Sequence, residues 1–142
     1  MPPSKMLAWA LLLAVQHGVV MPSPVHNSDP QLKAWYQESN AAYFDNKLPD
    51  IPIYWEKLPS GVYAETACPL SWPTDGNADL CVIRVSEVFR QRALLPIAVH
   101  AVLHESCHVE DHRHARPLDS HGDQWQACML RLATAGAFKD LW

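Results

Sequence analysis

The stretch Pro96-Ile97-Ala98-Val99-His100-Ala101-Val102-Leu103-His104-Glu105-Ser106-Cys107-His108 decides how the chain is read. Pro96 suits the first helical position, where its missing N–H costs nothing. From Ile97 to Leu103 only His100 is polar, so the helix is expected to be buried rather than half exposed. The stretch ends in H-E-x-x-H. Residues four apart on a helix share a face, so His104 and His108 can grip one metal ion together. Glu105 then lies near the ion without needing to bind it. Two ligands, an open coordination position and a nearby base are what a zinc hydrolase requires. Imidazoles and a carboxylate in an apolar helix are costly unless a metal or hydrogen bonds satisfy them. That cost favours the metal reading over one of solvated helix-face histidines.

His100, His104, His108 and His112 recur every four residues, and any adjacent pair could chelate. Only the 104/108 pair has a Glu directly after its first His. His100 is read as a packed residue or one behind the ligands, and His112 as a helix-end residue. A catalytic zinc usually takes three protein ligands and leaves one position for water. His114 has the spacing of H-E-x-x-H-x-x-G-x-x-H, but Asp111 stands where that pattern needs Gly for its turn. His121 is preferred. Pro117 marks a break, and a second helix is expected from Ser120, with Asp123 as its capping-box partner. His121, Trp125, Cys128, Met129 and Leu132 then form one inward stripe. Gly122 would allow close backbone approach beside His121. An Asp such as Asp119 or Asp123 is the remaining option.

These residues resemble the SprT-like zinc metalloprotease family. Val102-Leu103-His104-Glu105-Ser106-Cys107-His108 matches its active-site helix, and His121-Gly122-Asp123-Gln124-Trp125 followed by Met129 matches its H-G-x-x-[aromatic] segment. Upstream, Tyr43-Phe44-Asp45-Asn46-Lys47-Leu48-Pro49 and then Ile53-Tyr54-Trp55 resemble the family's leading helix and first strand. The resemblance spans roughly residues 30 to 135. It implies zinc-dependent peptide-bond hydrolysis, with His104, His108 and His121 as metal ligands and Glu105 as general base. Larger members carry DNA-binding parts or a Cys-rich zinc ribbon. This chain has four cysteines and no C-x-x-C, so a minimal catalytic domain is expected, and the DNA-linked role is not carried over.

At 142 residues the chain holds one domain, and its 49% hydrophobic content supports a real core. A formal net charge of −4 gives no electrostatic case for nucleic acid. The basic residues at 112–116 adjoin Glu110 and Asp111 and read as a solvated helix end. Cys107 and Cys128 read as small buried residues. Cys68 and Cys81 bracket a turn and could pair in an oxidising compartment. A nucleophilic Cys107–His pair explains fewer of the same residues than a metal does.

Residues 1–29 form a leader and linker, and residues 30–142 the domain. Met6 to Val15 is apolar after Lys5, too short to span a bilayer and similar to a signal-peptide core, but no A-x-A site follows. Cytoplasm is favoured over export, which would need residues 1–20 to act as a signal. A helix is expected from Pro30 to about Asn46, capped by Ser28 or Asp29. Strands are expected at Ile51–Glu56, Val62–Cys68 and Leu80–Val85, separated by Gly61 and by Pro73-Thr74-Asp75-Gly76-Asn77. Ser86 would cap a short helix leading to Pro96. The expected fold is α+β: a small, mainly antiparallel three-stranded sheet of two hairpins, packed on the leading helix and the metal-binding helix, with a C-terminal helix closing the site. An extended protein or peptide substrate would lie along an exposed strand edge. Tyr63 and Arg92 are candidates for stabilising the oxyanion, with Tyr63 more readily read as packed on the sheet. The competing function is a non-catalytic, zinc-stabilised protein-binding module, for which Glu105 has no use.

Overall fold

The computed structural model describes residues 27–68, 78–112 and 121–141. Residues 1–26 of the leader, the Pro73–Asn77 turn, His114, Pro117, Asp119 and Ser120 lie outside the described residues.

Helix α1 runs Pro30–Tyr43. Asp29 is its cap, accepting from the Gln31 and Leu32 amides at 2.9 and 3.1 Å. Ser28 does something else: its hydroxyl accepts from Ile53 N at 3.1 Å and ties the cap to the first strand. The helix stops before the expected Asn46 because Asp45 and Asn46 adopt φ of 52° and 57°. Asp and Asn tolerate that left-handed conformation better than other side chains, and here it ends the helix. Asn40 then clamps the returning chain, donating to Leu48 O at 3.1 Å and accepting from Leu48 N at 3.0 Å. Asn40→Ala leaves two partly buried backbone groups without partners. It is expected to cost about 1–3 kcal/mol, read by urea unfolding.

Strands β1 (Ile53–Glu56), β2 (Ala64–Ala67) and β3 (Val82–Ser86) build one sheet in the order β1-β3-β2. The α+β class and strand number are as expected, but the pairing differs from two hairpins. β2 and β3 are antiparallel, with Ala64 opposite Val85, whereas β1 pairs β3 in parallel, with Ile53 opposite Ile83. The strand rich in β-branched residues takes the centre, with Ile83 and Val85 fully buried on one face. On its other face Arg84 sits between Glu65 at 2.7 Å and Glu56 at 3.5 Å. One central cation thus joins both outer strands.

Short 3₁₀ turns at Glu87–Arg90 and Arg92–Leu94 lead into α2, Leu95–His112. Ser86 stands at the N-cap position of the first turn, with no side-chain capping bond. Pro96 is the second residue of α2, one later than expected. Ala98, Ala101, Val102, Leu103, Cys107 and Val109 are all buried, as the apolar run demands. They pack against β-sheet residues on one side and Leu32 and Tyr36 of α1 on the other, in a single core. Helix α3, Asp123–Thr134, buries Cys128 and Leu132, while Trp125 and Met129 lie at the rim of that core. No helix among the described residues is long and apolar enough to cross a membrane.

Candidate metal centre

The middle of α2 carries His104, Glu105 and His108. His121 lies in the turn just ahead of α3, not in its first turn as expected. The helix opens at Asp123, with Gly122 in extended conformation as its N-cap and no side-chain capping bond. The turn still aims the imidazole at α2. His104 Nε2 stands 3.2 Å from His108 Nε2 and 3.3 Å from His121 Nε2. Two nitrogens each about 2.0–2.1 Å from a tetrahedral zinc ion lie about 3.3–3.4 Å apart, so both spacings suit a shared ion. A neutral imidazole has one N–H, so hydrogen bonds alone cannot satisfy three nitrogens converging in this way. The donor set and its geometry therefore fit zinc.

The protonation states suit the same task. Burial, reinforced by the neighbouring imidazoles, pushes His104 and His108 down to about 4, which keeps them neutral and able to ligate. Glu105 is 4% exposed, and burial pushes its carboxyl up to about 7 against a hydrogen bond from Thr66 that pulls it down. A cation at the nitrogens would favour the ionised carboxylate again. Glu105 Oε1 is 3.9 Å from His104 Nε2, close to the converging nitrogens without joining them. Thr66 Oγ1 donates to Glu105 Oε2, so β2 holds the carboxyl in orientation.

Trp125 forms one wall of the centre. Its ring stacks on His108 at 5.6 Å and meets His121 edge-on at 4.3 Å, while Nε1 donates to His104 O at 3.4 Å. Sequence reasoning placed Trp125 on the apolar stripe and missed this role, although its position four residues after His121 was a usable signal. Thr66 was missed without any such signal, because it lies in a mixed stretch with no motif.

The remaining candidates fall elsewhere. His100 packs on Phe138, with ring centroids 4.9 Å apart. His112 ends α2, as expected, but it and Asp111 are buried rather than solvated. Asp123 is exposed at the start of α3, outside the histidine cluster. Tyr63 packs edge-on against Phe89 at 5.0 Å, and Arg92 belongs to the turn before α2. The cysteines correct one expectation. Cys107 and Cys128 are buried, but they are bonded to each other, as are Cys68 and Cys81. Cys107 therefore has no free sulfur to close a four-ligand site. His112 groups with Cys68 and Cys81, whose sulfurs are likewise committed to a disulfide.

The chain is thus an α+β domain with H-E-x-x-H on a buried helix and a third imidazole from a following turn. The SprT-like family model matches residues 32–140, and the chain belongs to that family. No curated protein and no solved structure is matched.

Proposed function

We propose that this protein is a zinc-dependent metallopeptidase that hydrolyses peptide bonds in protein substrates. The reading rests above all on the ring nitrogens of His104, His108 and His121, all within 4.8 Å of one another, with the buried Glu105 beside them. Those three histidines would hold one zinc ion per chain. When bound, zinc supplies a Lewis acid that polarises a carbonyl and acidifies water. Glu105 takes the proton from the attacking water and returns a proton to the leaving amine. A bound cation would favour the ionised carboxylate, which is the form that accepts a proton from water. Thr66 fixes the carboxyl orientation, and Trp125 packs the imidazoles into place. An extended peptide lies along β2, whose outer edge is unpaired among the described strands.

Elemental analysis should find about one zinc per chain. Chelation should abolish cleavage of an unfolded protein such as casein, and added zinc should restore it. His121→Ala should lower zinc content, while His114→Ala should leave it unchanged. A zinc-loaded protein that leaves casein intact would overturn the peptidase reading. Thr66→Val removes the hydrogen bond to Glu105 at nearly constant volume. It is expected to lower kcat about tenfold with zinc content intact, and Thr66→Ser should recover most of the loss. An unchanged kcat in Thr66→Val would remove Thr66 from this role.

A further inference from the structure

A groove of about 710 Å³ opens beside the candidate centre. Val62, Tyr63 and Ala64 form one wall, where the chain enters β2. Ile97, His100 and Ala101 form the other, and His104 and Glu105 close the inner end. The α2 residues 97, 100, 101 and 104 are spaced i, i+3, i+4 and i+7, so they share one helix face. That face runs without a break from an apolar trough to the converging imidazoles. At a helical rise of about 1.5 Å per residue, Ala101 lies about 4.5 Å along the axis from His104, and Ile97 about 10 Å. An extended peptide advances about 3.3 Å per residue. Ala101 lies about 6 Å along the axis from Glu105, so a peptide with its reacting bond at Glu105 sets a side chain within two residues of that bond over Ala101.

We propose that this groove is a specificity pocket that receives one large apolar side chain of the substrate, Phe, Leu or Met, within two residues of the bond that is cut. The inference rests on the peptidase reading and adds the substrate class to it. Ala101 is the floor, and its single methyl group leaves the depth that a large side chain fills. Ile97, Val62 and Ala64 supply apolar walls, and Tyr63, 60% exposed, adds an aromatic ring to the lining. Among the described residues the lining holds no Lys, Arg or Asp. A charged side chain over the Ile97, Ala101, Val62 and Ala64 part of the trough would lose water against apolar walls.

The test uses extended peptides in a Gly/Ala frame, each with one variable residue: Phe, Leu, Ser, Lys or Asp. Cleavage by the zinc-loaded protein is mapped by mass spectrometry, and affinity for the Glu105→Gln protein is read by fluorescence anisotropy. The expected result is a preference of about tenfold or more for Phe and Leu over Ser and Asp at one position, in both cleavage and affinity. Ala101→Leu raises the floor and should shift the preference toward small side chains. Ile97→Lys, at a partly buried wall position, should erase the apolar preference and admit Asp. Cleavage with equal efficiency at every variable residue would sink the pocket while leaving the peptidase reading intact. So would a preference that neither variant alters. Tenfold tighter binding of Phe peptides without any cleavage would keep the pocket and sink the peptidase reading.

Discussion

Replacing Glu105 by Gln is expected to leave zinc content at about one ion per chain and to reduce casein cleavage by about 10²–10⁴-fold. The substitution is informative because it changes so little else. Gln has the shape of Glu and can still accept from the Thr66 hydroxyl. It stays outside the three imidazoles, since Glu105 Oε1 is 3.9 Å from His104 Nε2. It also removes a carboxyl that burial already disfavours in its charged form, so the variant should be at least as stable as the parent. Lost activity then cannot be attributed to a lost fold or a lost ion. What the amide lacks is the ability to take a proton from water. Wild-type cleavage by Glu105→Gln would falsify the assignment of Glu105 as the base. Loss of zinc in the same variant would show instead that the carboxylate is a ligand.

The second large effect concerns the bond between Cys107 and Cys128. Cys107 is the residue just before His108, and Cys128 lies in α3, one turn and a half beyond the start of the helix that follows His121. The bond therefore holds the helix that follows the turn bearing the third imidazole against the helix bearing the first two. It closes a separation of 21 residues, and constraining that loop in the unfolded chain is worth about 3 kcal/mol. The double variant Cys107→Ala/Cys128→Ala is expected to unfold in urea with a free energy lower by about that amount. Alanine is the proper replacement, since both sulfurs are buried and a serine hydroxyl there would lack a partner. Zinc affinity should fall too, because ordering α3 against α2 becomes part of the cost of binding. Equal stability and equal zinc affinity in the double variant would show that packing alone holds the two helices together.

The centre of the fold was legible in the sequence because its signals are local. An apolar run with histidines four apart specifies a buried helix and two ligands at once. His121 could be found because few other histidines follow α2 at all, although its place in a turn ahead of α3 was not visible. Gly122 was available as a cap, and Asp123 as a first helical residue, yet the hydroxyl of Ser120 suggested an earlier start. The strands were found within a few residues, but their order was not. Consecutive strands with turn signals between them suggest hairpins, and nothing in Ile51–Glu56 announces that its partner lies beyond β2. The position of β3 is decided by its pairing with a strand on each edge, a property of the assembled sheet. Likewise Thr66 carries no motif, and its role depends on a strand meeting a helix 39 residues away. The Cys107–Cys128 pairing was hidden for a similar reason: each cysteine sits comfortably as a small core residue until the two helices are docked.

The strand made last in the sequence occupies the middle of the sheet, and this imposes an order of assembly. A nascent chain ending between Ala67 and Val82 holds both outer strands and nothing for either to pair with. Arg84 is missing from such a chain as well, so Glu56 and Glu65 have no counter-ion. Truncations within this region should yield open, protease-sensitive chains rather than half-domains. The threshold for cooperative folding should come only after the third strand and the helix behind it have left the ribosome.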